Sequence, residues 1–206
     1  MQIAQRRILW LQAFTIVWMT IEVGVALSAA ATAHSPALFA FGSDSVVELL
    51  SGLTVLLPWM TNFVPHQVAA RASGFLLILL AVIVAGTAAL SLAQHLSPVP
   101  SHAGIAITVA ALIVMPVLAA LKRREAARTG NVALSADAVQ SATCAWIALV
   151  ALIGLAANAL FGIVWLDSVA ALAIVPLLIR EGRSALKGQT CGCCGELPGR
   201  SVTKSN

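Results

Sequence analysis

Six long apolar stretches, separated by short polar segments, constrain this chain more than any other feature. An apolar stretch of about 18 residues or more predicts a membrane-spanning helix, because about 20 helical residues are needed to cross the hydrocarbon core. Only 10% of the 206 residues are Asp, Glu, Lys or Arg, against roughly 25% in soluble domains, which argues strongly against a soluble enzyme. We therefore predict an all-α polytopic membrane protein with six transmembrane helices, at residues 8–33, 39–59, 74–93, 103–121, 132–161 and 165–179.

The distribution of basic residues predicts how these helices are oriented. All 12 Lys and Arg residues fall on one side of a six-span arrangement, and the three loops of the other side contain none. The positive-inside rule then places both termini in the cytoplasm. The net charge of +4 is thus assigned to membrane topology, and we expect no nucleic-acid partner. The basic residues are Arg6, Arg7, Arg71, Lys122, Arg123, Arg124, Arg128, Arg180, Arg183, Lys187, Arg200 and Lys204.

The first apolar stretch has a competing interpretation as a cleaved signal peptide. Two arginines, an apolar run and an Ala-rich end near Ala33 fit that interpretation. The run is, however, about twice as long as the usual core of 7–15 apolar residues, and it contains Glu22. Both features favour a membrane helix that stays in the protein.

Four acidic residues lie within the predicted spans, namely Glu22, Asp44, Glu48 and Asp137. Acidic groups within a bilayer are costly and usually mark an ion path. The predicted spans contain no Lys or Arg that could neutralise these carboxylates. We therefore expect a cation, or protons, to share their site.

The spacing of these residues predicts two polar helix faces. Asp44 and Glu48 are four residues apart, so their side chains lie over one face of a helix, about one turn apart. Asp137, Gln140 and Cys144, together with Ser141, recur at three- and four-residue intervals in the fifth span. Carboxylate and amide oxygens with one thiolate suit a divalent transition metal such as zinc better than magnesium.

Each of these residues also has a simpler interpretation. Ser141 would by default mediate helix packing, and Cys144 alone would be a small buried hydrophobic residue. Asp44 and Glu48 could form a neutral, protonated pair joined by a hydrogen bond. For Glu22, three roles remain open: it lines the same cavity, it shuttles protons, or it bonds to a neighbouring helix.

Three segments of the chain resemble the membrane domain of the cation diffusion facilitator (cation efflux) family. They are FGSDSVVELLS at residues 41–51, SADAVQSATC at residues 135–144, and LIGL at residues 152–155 followed by GIVWLDSVAAL at residues 162–172. The resemblance extends over the chain as six spans. It implies a proton-coupled exporter of divalent metal, usually zinc, that works as a homodimer by alternating access.

The resemblance also implies a ligand set. The family's two acids in the second helix correspond to Asp44 and Glu48, and its two ligands in the fifth helix correspond to Gln140 and Cys144. A neutral amide is a weak zinc ligand, and a thiolate favours softer ions such as cadmium, mercury or copper(I). Asp137, one turn before Gln140, could complete the sphere.

The end of the chain departs from the family, in which a cytoplasmic domain often follows the sixth helix. We expect residues 1–188 to form the transmembrane domain and residues 189–206 a short cytoplasmic tail with Cys191, Cys193 and Cys194. Disulfides are rare in a reducing compartment, so these thiols predict a possible metal site, with adventitious reactive thiols as the alternative.

The function predicted from the sequence is proton-coupled efflux of zinc, or of a softer ion such as cadmium, with the metal as transported ligand and no prosthetic group. The expected partners are the metal ion, protons, the lipid bilayer and a second copy of the chain. The expected location is a bacterial inner membrane. Two rivals remain: a membrane metal-binding or regulatory protein that moves no ion, and a carrier of another small solute coupled to protons. Catalysis is not expected, because the sequence offers no nucleophile–base pair and no Gly-rich phosphate loop.

Overall fold

The computed structural model describes residues 2–60, 66–94 and 98–187, and within these residues it is entirely helical. The polar punctuation of the sequence explains where the helices begin and end. The Ser101 side chain accepts from the Gly104 amide at the start of the fourth helix, and Gly130 and Gly162 adopt left-handed backbone after the fourth and fifth helices, a conformation that favours glycine. The helices are α1 (Gln2–Ala33), α2 (Pro36–Met60), α3 (His66–Ala93), α4 (His102–Thr129), α5 (Val132–Phe161) and α6 (Trp165–Leu186).

The number and order of the predicted helices are confirmed, but four of the predicted limits are wrong by six residues or more. α1 begins at Gln2 and α3 at His66, before the predicted starts at residues 8 and 74. α4 continues to Thr129 and α6 to Leu186, beyond the predicted ends at residues 121 and 179. The basic residues that follow Leu121 were predicted to lie between spans, yet they continue α4. Lys, Arg, Glu and Ala are all strong helix formers, so α4 ends only where Gly130 takes a φ of 66°.

Among the described residues, four helices are long and apolar enough to cross a membrane: α1, α3, α4 and α5. α6 has Asp167, Arg180, Glu181 and Arg183 among its 22 residues, so every 18-residue stretch of it contains at least three charged side chains. The prediction of an all-helical membrane protein is therefore confirmed. The prediction of six spans with both termini in the cytoplasm stays a prediction.

α2 and α5 occupy the middle of the bundle. α2 contacts α1, α3, α5 and α6, and α5 contacts α2, α4 and α6. The two helices whose polar faces were singled out in the sequence therefore pack against each other with neighbours on several sides. This arrangement places their polar side chains in the interior.

The exposed apolar side chains and the buried charged side chains distinguish this protein from a soluble one. Large apolar side chains face outward, as on α1, where Trp10 is 75% exposed. Charged side chains lie inside: Glu22, Glu48, Lys122 and Asp137 are all fully buried. This distribution fits a protein whose surroundings are lipid and whose ionisable residues face the bundle interior.

α3 and α6 approach each other so closely that their backbones touch. A Cβ added at Gly74 would lie 2.8 Å from the Gly182 carbonyl oxygen and 2.8 Å from the Leu186 amide nitrogen. A Cβ added at Gly182 would lie 2.9 Å from the Gly74 carbonyl oxygen. Small residues at such contacts are typical of helix pairs in membranes, where close packing replaces the hydrophobic effect.

A buried polar cluster joins the start of α2 to the start of α6. The Ser35 hydroxyl donates to Asp167 Oδ1 at 2.8 Å and accepts from the Leu38 amide at 3.1 Å. The Ala37 amide donates to Asp167 Oδ2 at 3.3 Å. Asp167 thus helps Ser35 to cap α2, because amide groups in the first turn of a helix have no intrahelical partner.

Candidate metal-cation site

Four buried carboxylates gather where α1, α2 and α5 meet. They belong to Glu22, Asp44, Glu48 and Asp137, and together we call them the acidic centre. Asp44 is 3% exposed and the other three are fully buried. Asp44 and Glu48 occupy one face of α2 because they are one turn apart, as the sequence predicts.

One part of the acidic centre is organised around Lys122 of α4. The Lys122 ammonium group lies 2.8 Å from Asp137 Oδ2 and 3.8 Å from Glu48 Oε1, and all three side chains are fully buried. It also donates to Ser141 Oγ at 2.8 Å, and this hydroxyl donates in turn to Glu48 Oε1. Gln12 Nε2 donates to Asp137 Oδ2 at 2.8 Å. α1, α2, α4 and α5 thus each supply a side chain to one network.

The other part lies around the Cys144 thiol of α5. Cys144 Sγ lies 3.7 Å from Glu22 Oε1, and the thiol also interacts with Asp44 and Glu48. Ser45 Oγ donates to Glu22 Oε1 at 2.6 Å and Trp18 Nε1 donates to Glu22 Oε2 at 2.6 Å. The Cys144 sulfur is therefore in contact with Glu22 of α1, and the two acids of α2 lie near enough to act on it electrostatically.

Several oxygen atoms of the centre are buried without a hydrogen-bond partner. Among the described residues these are Asp44 Oδ2, Glu48 Oε2, Asp137 Oδ1 and Gln12 Oε1. Every one of them is an acceptor, and an unsatisfied buried acceptor costs about 1–3 kcal/mol, more when it is charged. This is the arrangement that a bound cation or added protons would stabilise.

The charges of the centre do not balance. Among the described residues, the centre contains four carboxylates and one ammonium group, that of Lys122, which lies near Glu48 and Asp137. A fifth carboxylate, that of Glu181 on α6, interacts electrostatically with Asp44 and accepts a 3.1 Å hydrogen bond from Thr143. Like charges at close range in a low-dielectric interior cannot all remain ionised without a counter-charge. The negative charge of the acidic centre therefore favours the binding of a cation or of protons.

In this conformation the ligand side chains have not converged on a single point. Across residues 2–60, 66–94 and 98–187, no three His, Cys, Asp or Glu side chains lie close enough to hold a metal ion. The carboxylates instead bind Lys122, Gln12, Ser141, Ser45 and Trp18. Binding a metal here would require side chains to exchange these partners.

A surface cleft of about 910 Å³ lies elsewhere, between α1 and α4. Its apolar wall includes Trp10, Phe14 and Val117, and its rim includes Arg7 and Glu125, which form an ion pair at 3.8 Å. None of the four carboxylates of the acidic centre is among the residues that line this cleft.

Comparison with known families identifies the chain. Residues 66–189, more than half of the sequence, match the family model of the cation efflux transmembrane domain. The chain belongs to the cation efflux family. No curated protein matches the chain closely enough to be reported as a relative. The suspected resemblance is thus confirmed, and membership of the cation efflux family supports a multi-pass membrane transporter of metal cations rather than an enzyme.

The family match and the acidic centre overlap only in part. The match begins at α3, so it includes Lys122, Asp137, Gln140 and Cys144, whereas the helices that carry Glu22, Asp44 and Glu48 precede it. Assignment of the acid pair of α2 as ligands therefore depends on its own geometry.

The predicted site residues are distributed unevenly in the fold. Asp44, Glu48 and Cys144 lie in the same buried region and interact electrostatically. Asp137 is linked to Glu48 by Lys122, which lies near both carboxylates. Gln140 is half-buried, and among the described residues it makes no hydrogen bond to the acidic centre.

Glu22 accepts a hydrogen bond from Ser45 of the neighbouring helix α2, and it also lines the acidic centre. The tail residues Cys191, Cys193 and Cys194 lie outside the described residues.

The expectation that no Lys or Arg lies among the buried acids is wrong, because Lys122 does. The spacing of apolar residues in the sequence could have indicated that Lys122 is buried. Lys122 continues the buried stripe of α4 at the spacing of one helix face, after Ala111, Met115 and Leu118. Lys122 was assigned to the loop because a charged side chain at the end of an apolar run usually extends towards water.

Gln12 was likewise missed, although it lies on the buried face of α1, four residues after Ile8 and ten before Glu22.

Proposed function

We propose that this cation efflux protein exports a divalent metal ion, zinc or a softer ion such as cadmium, in exchange for protons. Its binding site would be formed by Asp44 and Glu48 of α2 and Cys144 of α5, with Asp137 as a fourth ligand. The observation that carries this proposal is the set of buried carboxylate oxygens without partners on Asp44, Glu48 and Asp137. These atoms are acceptors in need of a cation, between the two helices at the middle of the bundle.

The chemistry of the donor set supports zinc or a softer ion. Carboxylate oxygens and a thiolate form typical zinc sites, and the sulfur favours cadmium over magnesium. Gln140 lies on α5, as Cys144 does, but it makes no hydrogen bond to the described carboxylates. We therefore do not include it among the proposed metal ligands. The departure from the family at this position is then compensated by Asp137.

Proton exchange follows from the same donor set. Thiol and carboxyl groups must lose their protons before they bind a metal, so binding releases protons and protonation releases the metal. A site that carries protons after the metal has left is less charged, and it returns across the bilayer at lower cost. We further propose that the protein works as a homodimer and that Cys191, Cys193 and Cys194 deliver metal to the inner mouth.

The transport test uses purified protein in liposomes that enclose a metal-sensitive dye. Asp44→Asn and Glu48→Gln each remove one charged ligand, and we expect each to lower the rate of zinc and cadmium entry at least about tenfold, which corresponds to about 1.4 kcal/mol in the activation free energy of transport. Glu125→Gln is the matched control, because among the described residues this buried carboxylate pairs with Arg7 and Arg128 and not with the proposed ligands. Its transport rate should stay close to that of the wild type.

Two results would contradict the proposal in different ways. Wild-type rates in both Asp44→Asn and Glu48→Gln would show that the acidic centre is not the transport site. Metal that binds to the purified wild-type protein but never reaches the enclosed dye would favour the rival function, a membrane metal-binding or regulatory protein.

A further inference from the structure

Lys122 places a positive charge inside the acidic centre, in the position where a cation is needed. Its ammonium group has three N–H donors. Two of them serve Asp137 Oδ2 and Ser141 Oγ, each at 2.8 Å. Glu48 Oε1 lies 3.8 Å from the same nitrogen. One side chain from α4 therefore holds an acid of α2 and an acid of α5 together.

The two carboxylates are neutralised by Lys122 only in part. Glu48 faces Lys122 with Oε1 and Asp137 faces it with Oδ2, while Glu48 Oε2 and Asp137 Oδ1 have no hydrogen-bond partner. A permanent structural ion pair is stable only when the remaining lone pairs are satisfied. Half-satisfied carboxylates indicate instead a counter-ion that can be exchanged for one that binds more oxygen atoms.

We propose that the Lys122 ammonium group is a tethered counter-cation of Glu48 and Asp137 that competes with the transported metal for these carboxylates. The inference rests on the proposed function in one respect: the competing ion is the cargo of the same centre. With Lys122 in place, the carrier without cargo keeps a lower net charge and crosses between its two open states more easily.

Charge repulsion would displace the Lys122 ammonium group when the metal binds, and the group would move towards the charged end of α4. Two cations at the same carboxylates would repel each other strongly in a low-dielectric interior, so the ammonium group must withdraw when a dication binds. Lys122 lies seven residues before Thr129, the last residue of α4, which is about two helical turns. The neighbouring Arg123 and Arg124 are exposed, so Lys122 lies at the start of the charged end of α4, where the flexible side chains of lysines can extend towards water in membranes.

The test compares Lys122→Gln with the wild type in zinc binding and zinc transport. Both proteins are full-length and carry Cys191→Ser, Cys193→Ser and Cys194→Ser, so that tail thiols add no binding. Because Gln removes the competitor, we expect the Kd and the apparent KM for zinc to fall about fivefold or more, within the usual range of coupling between sites. The maximal rate should fall too, because the empty carrier returns with more negative charge. Arg123→Gln removes the same charge from an exposed neighbouring position and should change neither constant.

A role of Lys122 in folding alone predicts a different result. An unchanged or higher Kd for zinc in Lys122→Gln would overturn the proposal. If this variant cannot be purified without metal, the proposal predicts that zinc added during extraction restores it, since zinc then supplies the missing charge. Loss of the variant in both conditions would overturn the proposal. Absence of zinc transport by the wild type would refute the proposed function only, because the binding comparison still decides the role of Lys122.

Discussion

At the scale of single residues, the buried pair of Lys122 and Asp137 is the most consequential contact of the molecule. Both side chains are fully buried, and their charged atoms are 2.8 Å apart. A buried ion pair adds little net stability, but removing one partner leaves a buried charge without compensation, which typically costs about 3–5 kcal/mol. The pair therefore constrains which substitutions the centre tolerates.

A double-mutant cycle tests this contact in the folded protein. We expect Lys122→Met and Asp137→Asn each to lower the midpoint of thermal unfolding in detergent, because each leaves one charge unpaired. The double variant should lose less stability than the two single variants together, with a coupling of roughly 1–3 kcal/mol. Strictly additive losses would show that the two side chains do not interact as described.

At the scale of helices, the acidic centre depends on how closely the surrounding helices pack. α3 and α6 touch through Gly74 and Gly182, where an added Cβ would meet backbone atoms within 2.9 Å. α6 also supplies Asp167, which binds Ser35 and the first turn of α2. The position of α2, with its Asp44 and Glu48, is thus fixed partly by helices that contribute no ligand to the proposed metal sphere.

A pair of identical substitutions in α3 tests the close contact. Gly74→Ala forces a methyl group against the α6 backbone, and we expect it to lower stability by about 1–3 kcal/mol, as overpacking does. Gly86→Ala is the control, because an added Cβ there meets nothing within 4 Å. Since Ala is the better helix former, Gly86→Ala should be neutral or stabilising by up to about 1 kcal/mol. Thermal unfolding in detergent measures both variants, and equal losses would argue against the close contact.

At the scale of the whole molecule, the buried charges and the exposed apolar surface require the lipid bilayer. Within the part of the chain that the structure describes, four helices are long and apolar enough to cross it, and the basic residues predict that both termini face the cytoplasm. The tail contains Cys191, Cys193 and Cys194, and Cys144 is buried inside the bundle. The native cysteines can therefore be labelled to determine on which side of the membrane the tail lies.

Labelling of these native cysteines tests the predicted orientation. In right-side-out membrane vesicles, a membrane-impermeant maleimide should leave the protein unlabelled, and permeabilised vesicles should be labelled at the tail. Cys144 should stay unreactive in both because it is fully buried. The variant with the three tail cysteines changed to serine is the control for background. Labelling of the tail in sealed vesicles would reverse the predicted topology.

The sequence by itself determined the helix count, the approximate helix limits and the acids that lie inside. Apolar length and polar punctuation are local properties, and an acid within an apolar run is conspicuous wherever the run folds. Asp44 and Glu48 could be paired without a structure because one turn of helix separates them. The prediction that α2 and α5 supply one polar interior agrees with their contact in the middle of the bundle.

Only the tertiary structure decided which side chains complete the centre. Lys122 is distant in sequence from Glu48, and whether a lysine at the end of an apolar run turns towards water or inward depends on the helices packed beside it. Gln140 and Ser141 are adjacent in sequence, yet only Ser141 is fully buried and bonded to Glu48. The packing of α5 against α2 decides which of the two is buried, because partners across helices are selected by packing and not by spacing along one helix.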